Sequence, residues 1–427
     1  MTTKTLLRGR FLTLNTIVRV NQIEVSRELN KGADESNKHS LETVTAFREA
    51  IAAGWLEAKI TWAFSWRALH SEERNYREIR DYVKTCHKKY GDDVTFIPGA
   101  YFANAYNSRE QVNRDLHEGL ARVAEFMGNN FRPTSVVAGF LSAENQRYLA
   151  EEEGINVCQG NIWSQFSIDN QDGDGAPSYP FYPSQEHFCK PAQAEADFID
   201  CVNLDGWTVD FLAARRPGFK EGFNSRMGVG PIETIGAHGP EVGLKQMLAT
   251  TANHFDDGFE RNGFGWVTNC WETCLVKEIG HLEILTQYLS EVQRRWPDAK
   301  CLTQGEFGLL WRQTFTNNAE LDYHFVQSGT GIGGSDKDKE ISWFMNKNFR
   351  LALLRSTEED TLAKVIDFTR YDVPAEEPQD MTRRWSLMGK INQKQTRPQD
   401  EPRLLSELDE EDRQLIFNIY PELEIRS

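Results

Sequence analysis

The sequence has no long apolar run. No segment approaches the roughly 18 consecutive apolar residues that a membrane-spanning helix needs. Residues 1–20 also contain no apolar core of the kind that a signal peptide carries. We therefore expect no transmembrane segment and a soluble chain, which is cytoplasmic as written and extracytoplasmic if a signal peptide was removed.

Positive charge and cysteine are also scarce. The chain has 48 Lys and Arg against 64 Asp and Glu, which gives a formal net charge of -16. This balance provides no positive field for a phosphate backbone, so we expect no nucleic-acid partner. The seven cysteines form no CxxC motif and no regular spacing, which excludes a zinc ribbon and a disulfide framework.

Large aromatic residues are plentiful by contrast. The chain has 11 Trp and 25 Phe, and many of them fall near the ends of predicted strands. Aromatic rings at such positions favour a surface that stacks on the apolar faces of sugars, although large proteins also use these residues as core. A carbohydrate is therefore the expected ligand or substrate.

Short β-branched or aromatic runs alternate with helical periodicity up to about residue 315. This alternation predicts repeated βα units around parallel strands, and eight strands would close a barrel. The expected strands lie at 12–20, 59–65, 94–101, 135–140, 155–160, 198–204, 263–271 and 300–306. We expect an α/β fold, in which residues 1–320 form a (β/α) barrel of seven or eight strands.

Three of the intervening helices have clear ends. The segments 40–54 and 108–128 begin at Ser40 and Ser108, which are good N-caps, and both stop at glycine. Gln111 predicts a capping box with Ser108, and a third helix is expected over 280–297.

The character of the sequence changes after residue 316. A Gly- and Asp-rich segment at 329–338 is followed by alternating runs at 348–356, 362–373 and 383–391. Such runs are typical of antiparallel strands. Residues 321–427 are therefore predicted to form a smaller β-rich C-terminal domain.

The segment 161–197 is too long for a plain βα connection, and it is rich in aromatic residues. Such loops are often functional, so we expect this one to cover the carboxyl-end mouth of the barrel as a lid. It would bring Asn161, Trp163 and Gln165 to the ligand. The alternative is that the loop joins the two domains. Asp169, Asp172 and Asp174 also leave open a calcium loop or an Asx-rich turn.

Four acids follow predicted strands and are candidates for catalysis: Glu272, Glu306, Asp205 and Glu144. Two carboxyl groups that face each other across a sugar are what glycoside hydrolysis needs. Glu272 and Glu306 follow the last two strands and form the preferred pair, whereas capping of a helix is the structural alternative for each acid.

The candidate ligand-binding residues are mostly aromatic or amide side chains at strand ends: Trp62, Trp66, Tyr101, Asn161, Trp163, Gln165, Trp207, Trp271 and His238. No cofactor is predicted. A divalent metal held by Glu233, His238, His254 and Asp256 is the alternative, because a metal needs three or four such ligands.

The segment AGFLSAENQRYLAEEEGINVCQGNIWSQ, residues 138–165, resembles the fourth-strand region of polysaccharide deacetylase-like (NodB-type) barrels. The whole chain resembles an uncharacterised Bacteroides-type family (DUF3863/DUF3864) with a barrel of glycoside hydrolase/deacetylase type and an appended C-terminal domain. This resemblance implies a carbohydrate-active protein.

The zinc-binding motifs of those deacetylases are absent. KITWAFSWRAL, residues 59–69, lacks the aspartate pair, and AYFANAYNSREQ, residues 100–111, lacks the histidines. Gly139 to Leu141 replace the Arg-x-Pro-Tyr motif. Zinc hydrolysis needs those ligands, so we expect the loop after the second strand to stack on sugar rings instead. The sequence leaves open a carboxylate-based carbohydrate-active hydrolase or a non-catalytic glycan-binding protein.

Overall fold

The computed structural model describes residues 7–128, 130–161, 179–214, 226–359, 361–381 and 402–426. The strands are β1 Gly9–Val18, β2 Asn21–Ile23, β3 Lys31–Asp34, β4 Thr61–Phe64, β5 Asp93–Phe96, β6 Val136–Val137, β7 Val157–Asn161, β8 Val202–Asp205, β9 Phe264–Cys270, β10 Lys300–Leu302, β11 Asp322–Ser328, β12 Lys339–Asn346, β13 Phe349–Ser356, β14 Lys364–Arg370 and β15 Arg403–Leu404.

The α-helices are α1 Leu41–Gly54, α2 Trp66–His70, α3 Arg74–Tyr90, α4 Ala103–Tyr106, α5 Arg109–Met127, α6 Ala143–Glu151, α7 Phe211–Ala214, α8 Pro231–His238, α9 Pro240–Ala252, α10 Phe259–Asn262, α11 Leu275–Glu278, α12 Leu282–Arg295, α13 Gln304–Thr314 and α14 Glu410–Ile419. A π-helical segment, Asn253–Gly258, joins α9 to α10. None of the described helices is long and apolar enough to cross a membrane.

Strand β1 is the centre of the larger parallel sheet. It pairs with β9 along most of its length, with β10 through its first half and with β4 through its second half. Strand β5 extends this sheet beside β4. From Phe11 to Val18, β1 is buried on both faces, as expected for a parallel strand between other layers.

The second parallel sheet has the order β6, β7, β8, and hydrogen bonds connect its flanking residues to the first sheet. The Thr95 hydroxyl donates to the carbonyl of Ser135 at 2.5 Å, beside β5 and β6. The backbone N–H of Thr208, just after β8, donates to the carbonyl of Thr268 in β9 at 2.8 Å. The two sheets are therefore linked beside β5 and β6 and again beside β8 and β9.

All eight strands predicted for the first 320 residues are present, and all of them except β1 are shorter than expected. Residues 98–101 form a 3-10 turn rather than the end of a strand, and Gln304 already begins α13. Pro98 and Gly99 explain the first difference, because proline removes a ladder donor and Gly99 has a positive φ of 61°. Thr303 explains the second, because it caps the helix.

The predicted helices at 40–54, 108–128 and 280–297 are confirmed as α1, α5 and α12. Ser40 forms a capping box with Thr43. Ser108 accepts a hydrogen bond from the backbone N–H of Gln111, but the Gln111 side chain donates to Asp115 instead of closing the predicted box.

The C-terminal sheet is antiparallel, with the order β11, β12, β13, β14, β15. The strands expected near 348–356 and 362–373 are confirmed as β13 and β14, while β11 and β12 were missed. Phe344, Phe349, Phe368 and Ile416 belong to a separate hydrophobic cluster between this sheet and α14. The run at 383–391 lies outside the described residues.

The described half of the long loop connects the parallel sheets to the C-terminal sheet. The Tyr179 ring stacks on Tyr323 of β11 at 4.8 Å and meets the edge of Phe264, at the amino end of β9. The Tyr182 ring packs on Trp311, while Phe188 packs on Phe140. This half therefore joins the two units, and residues 162–178, which include Trp163, Gln165 and the three aspartates, lie outside the described residues.

We expect His254 to make the protein sensitive to acid. Its ring is buried and stacks on Phe325 of β11 at 4.3 Å, and this burial lowers its pKa from 6.5 to about 3. As pH falls from about 6.5 towards 3, His254 is protonated in the unfolded chain but stays neutral in the folded chain. The free energy of unfolding should fall in this window by up to roughly 1.4 kcal/mol per pH unit.

Urea denaturation at several pH values tests this expectation. A His254→Phe variant keeps the stacking ring and cannot titrate, so its stability should depend less steeply on pH than that of the wild type. Equal slopes for the two proteins would contradict the assignment. His39, with a pKa lowered by burial to about 4, remains in both proteins.

Candidate active site

A group of polar side chains meets at the carboxyl ends of β1 and β9. The two strands are parallel neighbours, with Asn15 opposite Cys270, so the residues that follow them leave at the same edge. We call Arg19, Glu35, Tyr101, Glu233 and Glu272 the carboxyl-end cluster. Arg19, Glu35 and Glu272 follow strands β1, β3 and β9, whereas Tyr101 lies in the turn after β5 and Glu233 in helix α8.

Arg19 is the central cation of the cluster. Its Nε lies 2.5 Å from a carboxylate oxygen of Glu35, and its Nη2 lies 3.4 Å from Glu272. Burial alone would lower the pKa of Arg19, but the charges of Glu272 and Glu35 raise it above its usual value. Burial would likewise raise the pKa of Glu35, yet Arg19 holds it below its usual range. The guanidinium and the Glu35 carboxylate are therefore both charged.

Glu233 lies in the first turn of α8, which begins with a proline at its first position. Its Oε1 is 3.3 Å from Nη1 of Arg226, and the residue is only 7% exposed. Burial raises the pKa of Glu233, the Arg226 charge opposes this effect, and the negative charge of Glu272 adds to it. Glu233 therefore keeps its proton to a higher pH than an ordinary glutamate does, whereas Glu272 pairs with Arg19.

The two acids differ in access to solvent as well as in surroundings. The Glu272 side chain keeps 21% of its surface exposed, whereas that of Glu233 keeps 9%. Each acid pairs with an arginine, so the exposure of the side chain is what distinguishes them, and low exposure favours a neutral acid. Such a difference between neighbouring carboxyl groups is typical of an acid and base pair.

Two aromatic rings stand near these acids. The Tyr101 hydroxyl donates to the Asn15 side-chain oxygen at 3.2 Å, and its ring lies 5.6 Å from that of Trp207, which follows β8. Tyr101 has a positive φ of 86°, which is unusual for a residue with a side chain. A Cβ on Gly139 would lie 2.5 Å from the Tyr101 carbonyl oxygen, so only glycine fits against this strained turn.

Buried amides lie beside the acids. Among the described residues, neither polar atom of the Asn269 side chain has a hydrogen-bond partner, and the same holds for Nδ2 of Asn15 and Nε1 of Trp207. A Cβ on Gly230 would lie 2.9 Å from Oε2 of Glu233 and 3.6 Å from Oδ1 of Asn269, so the amide is close to the acid. These groups can donate to, or accept from, water or the hydroxyl groups of a ligand.

The structure does not bring Glu306 to Glu272. Glu306 forms a capping box with Thr303 at the start of α13, and its Oε1 lies 2.5 Å from Nζ of Lys59, which precedes β4. It is therefore near the amino end of β4, whereas Glu272 follows the carboxyl end of β9. The physical reason is the register of β10, which pairs with the first half of β1 and ends beside Thr13.

Glu144 and Asp205 occupy different surroundings. Glu144 lies in the first turn of α6, 47% exposed, with Arg109 at 4.0 Å, which is a usual place for an acid at a helix start. Asp205 ends β8 opposite Asn161 and accepts hydrogen bonds from the backbone N–H groups of Gly206 and Trp207. Asp205 and Trp207 also line a cavity of about 20 Å³, which is large enough for one water molecule.

Two of the predicted stacking residues are core residues. Trp62 is fully buried, donates its indole N–H to Asp92 at 3.0 Å and packs on Phe47 of α1. Trp271 is also fully buried and packs on Tyr288 of α12. The Trp62 ring faces α1 and the Trp271 ring faces α12, so neither ring is open to a ligand. The expectation that the strand after residue 59 offers Trp62 to a sugar is therefore wrong.

The remaining predicted ligand-binding residues are spread out. Trp66 begins α2, where its ring lies between His70 and the Arg27 guanidinium, which is 3.8 Å from the ring centre. Asn161 is buried at the end of β7, where its carbonyl accepts from Gln159. His238 is the last residue of α8, five residues beyond Glu233.

The residues considered for a metal are not brought together. Glu233 pairs with Arg226, whereas His254 stacks on Phe325 and Asp256 accepts from the indole N–H of Trp296. In the part of the chain that the structure describes, no group of three or more His, Cys, Asp or Glu residues could hold a metal ion.

Sequence reasoning missed the roles of Arg19 and Glu35 and considered Glu233 only as a metal ligand. The available signals were a single arginine at the end of an apolar strand and a glutamate just after the Gly-Pro start of a helix. Neither signal identifies a partner, because the proximity of the two glutamates depends on how β1, β9 and α8 pack.

Two family models match the chain. The model described as "Domain of Unknown Function with solved-structure structure (DUF3863)" matches residues 4–345. A model with the same description for DUF3864 matches residues 350–423. No match is found among curated proteins.

A crystal structure from Parabacteroides distasonis, named a "putative glycoside hydrolase/deacetylase", is 49% identical to the chain. The match has a TM-score of 0.91 and covers 98% of this chain and 99% of the other. A GH57-type branching enzyme from Pyrococcus horikoshii is 9% identical, with a TM-score of 0.41, and the match covers 71% of this chain and 70% of the other. The α-amylase AmyC from Thermotoga maritima is 11% identical, with a TM-score of 0.39 and coverages of 70% and 74%.

Proposed function

Because the chain belongs to the DUF3863 family of domains of unknown function, we propose a function from its own residues. It is a carbohydrate-active protein that cleaves glycosidic bonds with Glu233 and Glu272. The observation that carries this proposal is a buried glutamate whose pKa is raised by burial and by the nearby charge of a second glutamate, which in turn pairs with Arg19. The printed name of the relative that is 49% identical supports the substrate class.

The proposed reaction divides the work between the two acids. Protonated Glu233 donates its proton to the glycosidic oxygen as the carbon–oxygen bond breaks. In one route the Glu272 carboxylate attacks the anomeric carbon, and water deprotonated by Glu233 then cleaves the resulting ester. In the other, Glu272 removes a proton from the water that attacks the anomeric carbon, and the separation of the two acids decides between these routes. Neither route uses a cofactor.

The neighbouring residues would hold the sugar. Trp207 and Tyr101 offer ring faces and edges, and Asn269 and Asn15 offer amide groups to hydroxyls. We further propose that the parallel strands form a (β/α) barrel of seven or eight strands within residues 1–320. This arrangement places the site at the carboxyl ends, where barrel enzymes have their active sites.

Glycan binding without catalysis is the second candidate function. Both glutamates are in contact with arginines, and such ion pairs also serve structural purposes. Incubation of the wild type with cellohexaose, maltohexaose and xylohexaose distinguishes the two functions. Release of new reducing ends supports hydrolysis, and binding to one of these oligosaccharides without release supports the alternative.

We expect the rate of hydrolysis to fall as pH rises through the pKa of Glu233. Burial raises this pKa, so the protonated acid persists to a higher pH than an ordinary glutamate would allow. The alkaline limb of the kcat profile should therefore disappear in Glu233→Gln, and its remaining rate should no longer decline with pH. An alkaline limb that is unchanged in Glu233→Gln would assign the acid to another residue.

A further inference from the structure

A second concave site lies between the parallel sheets and the C-terminal sheet. Its cavity has a volume of about 450 Å³, within the range of small-molecule sites. We call it the interdomain groove and define it by Gln193, Glu195, Phe198, Asn317, Asn318 and Lys347. Phe198 precedes the amino end of β8, so the groove is separate from Glu272, which follows the carboxyl end of β9.

Hydrogen bonds fix the walls of this groove. The Asn318 side chain donates to the carbonyls of Tyr182 and Ala192 at 2.7 and 3.1 Å and accepts from the N–H of Tyr182 at 2.9 Å. The Gln193 side chain donates to the carbonyl of Lys347 at 2.6 Å. Three segments that are distant in sequence are therefore tied together, and the groove exists before any ligand enters it.

The lining combines an aromatic ring with opposite charges. Phe198 is partly exposed, and its ring is supported by Tyr182 at 4.6 Å. Glu195 and Lys347 both line the groove, and neither forms an ion pair among the described residues. One carboxylate and one ammonium leave the groove without net charge, so it offers hydrogen-bond acceptors and donors but no preference for an ionic ligand.

We propose that the interdomain groove is a second glycan site and binds an uncharged oligosaccharide. A pyranose has an apolar face that suits Phe198 and a rim of hydroxyl groups that suits Glu195 and Lys347. This inference takes its ligand class from the proposed function, but it does not depend on catalysis by Glu233 and Glu272. A second site would hold a long glycan on the protein while another part of it occupies the carboxyl-end cluster.

Titration calorimetry with cellohexaose, maltohexaose and xylohexaose tests the groove in the Glu272→Gln background, where hydrolysis is blocked. Adding Phe198→Ala or Lys347→Ala should weaken one class of sites by roughly tenfold. Lys364→Ala changes an exposed lysine of β14 outside the groove and should have no effect. If Phe198→Ala does not fold, the oligosaccharide affinity of Lys347→Ala tests the groove on its own.

Two further results would overturn the groove proposal. The first is unchanged affinity and stoichiometry in folded Phe198→Ala and Lys347→Ala variants. The second is preferential binding of hexagalacturonate at the groove, since that ligand is anionic. Product release by the wild type is measured separately, so failure of the groove is distinguishable from failure of the proposed hydrolysis.

Discussion

Replacement of Glu272 by glutamine should reduce kcat by a factor on the order of 10³, within the range expected for loss of an acid or base catalyst. The variant keeps the shape of the side chain and a hydrogen-bonding group beside Arg19, but it removes the charge that the proposed reaction needs. Initial rates of reducing-end release on the oligosaccharide that the wild type cleaves would measure this loss. The melting temperature of the variant should stay close to that of the wild type.

Glu306→Gln is the matched control for this prediction. Glu306 is also a glutamate that follows a parallel strand, but its carboxylate caps α13 and pairs with Lys59. We expect the control to keep its kcat, with at most a small loss of stability. A large loss of kcat in Glu306→Gln together with an active Glu272→Gln would reverse the assignment and favour the pair expected from sequence.

The largest effect on stability is expected at Arg48. Its Nε and Nη2 lie 2.7 and 3.0 Å from the two carboxylate oxygens of Asp92, and both side chains are fully buried. Asp92 also accepts from the indole N–H of Trp62. Arg48→Met would leave the Asp92 charge buried without its counter-charge, which typically costs about 3–5 kcal/mol of unfolding free energy.

Urea denaturation measures this cost, and two further variants check its cause. Arg74→Met breaks the exposed pair with Glu78 and should leave the midpoint unchanged. Combining Arg48→Met with Asp92→Leu removes both charges and should recover part of the loss. A double variant that is less stable than Arg48→Met would show that the charge left on Asp92 is not the main cost.

The sequence predicted the positions and order of the eight parallel strands better than the faces of their side chains. Strands such as β4 and β9 are apolar on both faces, so periodicity cannot tell the interior from the helix layer. Trp62 and Trp271 were therefore expected at a ligand but lie against α1 and α12. Strands β11 and β12 were missed for a different reason: the Gly-rich segment between them was interpreted as the start of the C-terminal domain rather than as the turn that joins two paired strands.

The candidate site was predictable only in part. Glu272 follows a long apolar strand, and that position alone indicated a role at the carboxyl edge. The identity of its partner depended on the register between β10 and β1. Because β10 pairs only with the first half of β1, Glu306 lies far from the carboxyl end of β9. Glu233 and Arg19 come close to Glu272 through the packing of α8 and β1, which no local pattern in the sequence records.

A crystal structure of Glu272→Gln with a bound oligosaccharide from the active panel tests the central claim most directly. We predict that the glycosidic oxygen lies within hydrogen-bond reach of Glu233, roughly 2.6–3.2 Å, with the anomeric carbon facing Gln at position 272. The sugar rings should contact Trp207 or Tyr101. An oligosaccharide bound only in the interdomain groove, or with its glycosidic oxygen out of reach of Glu233, would contradict the claim.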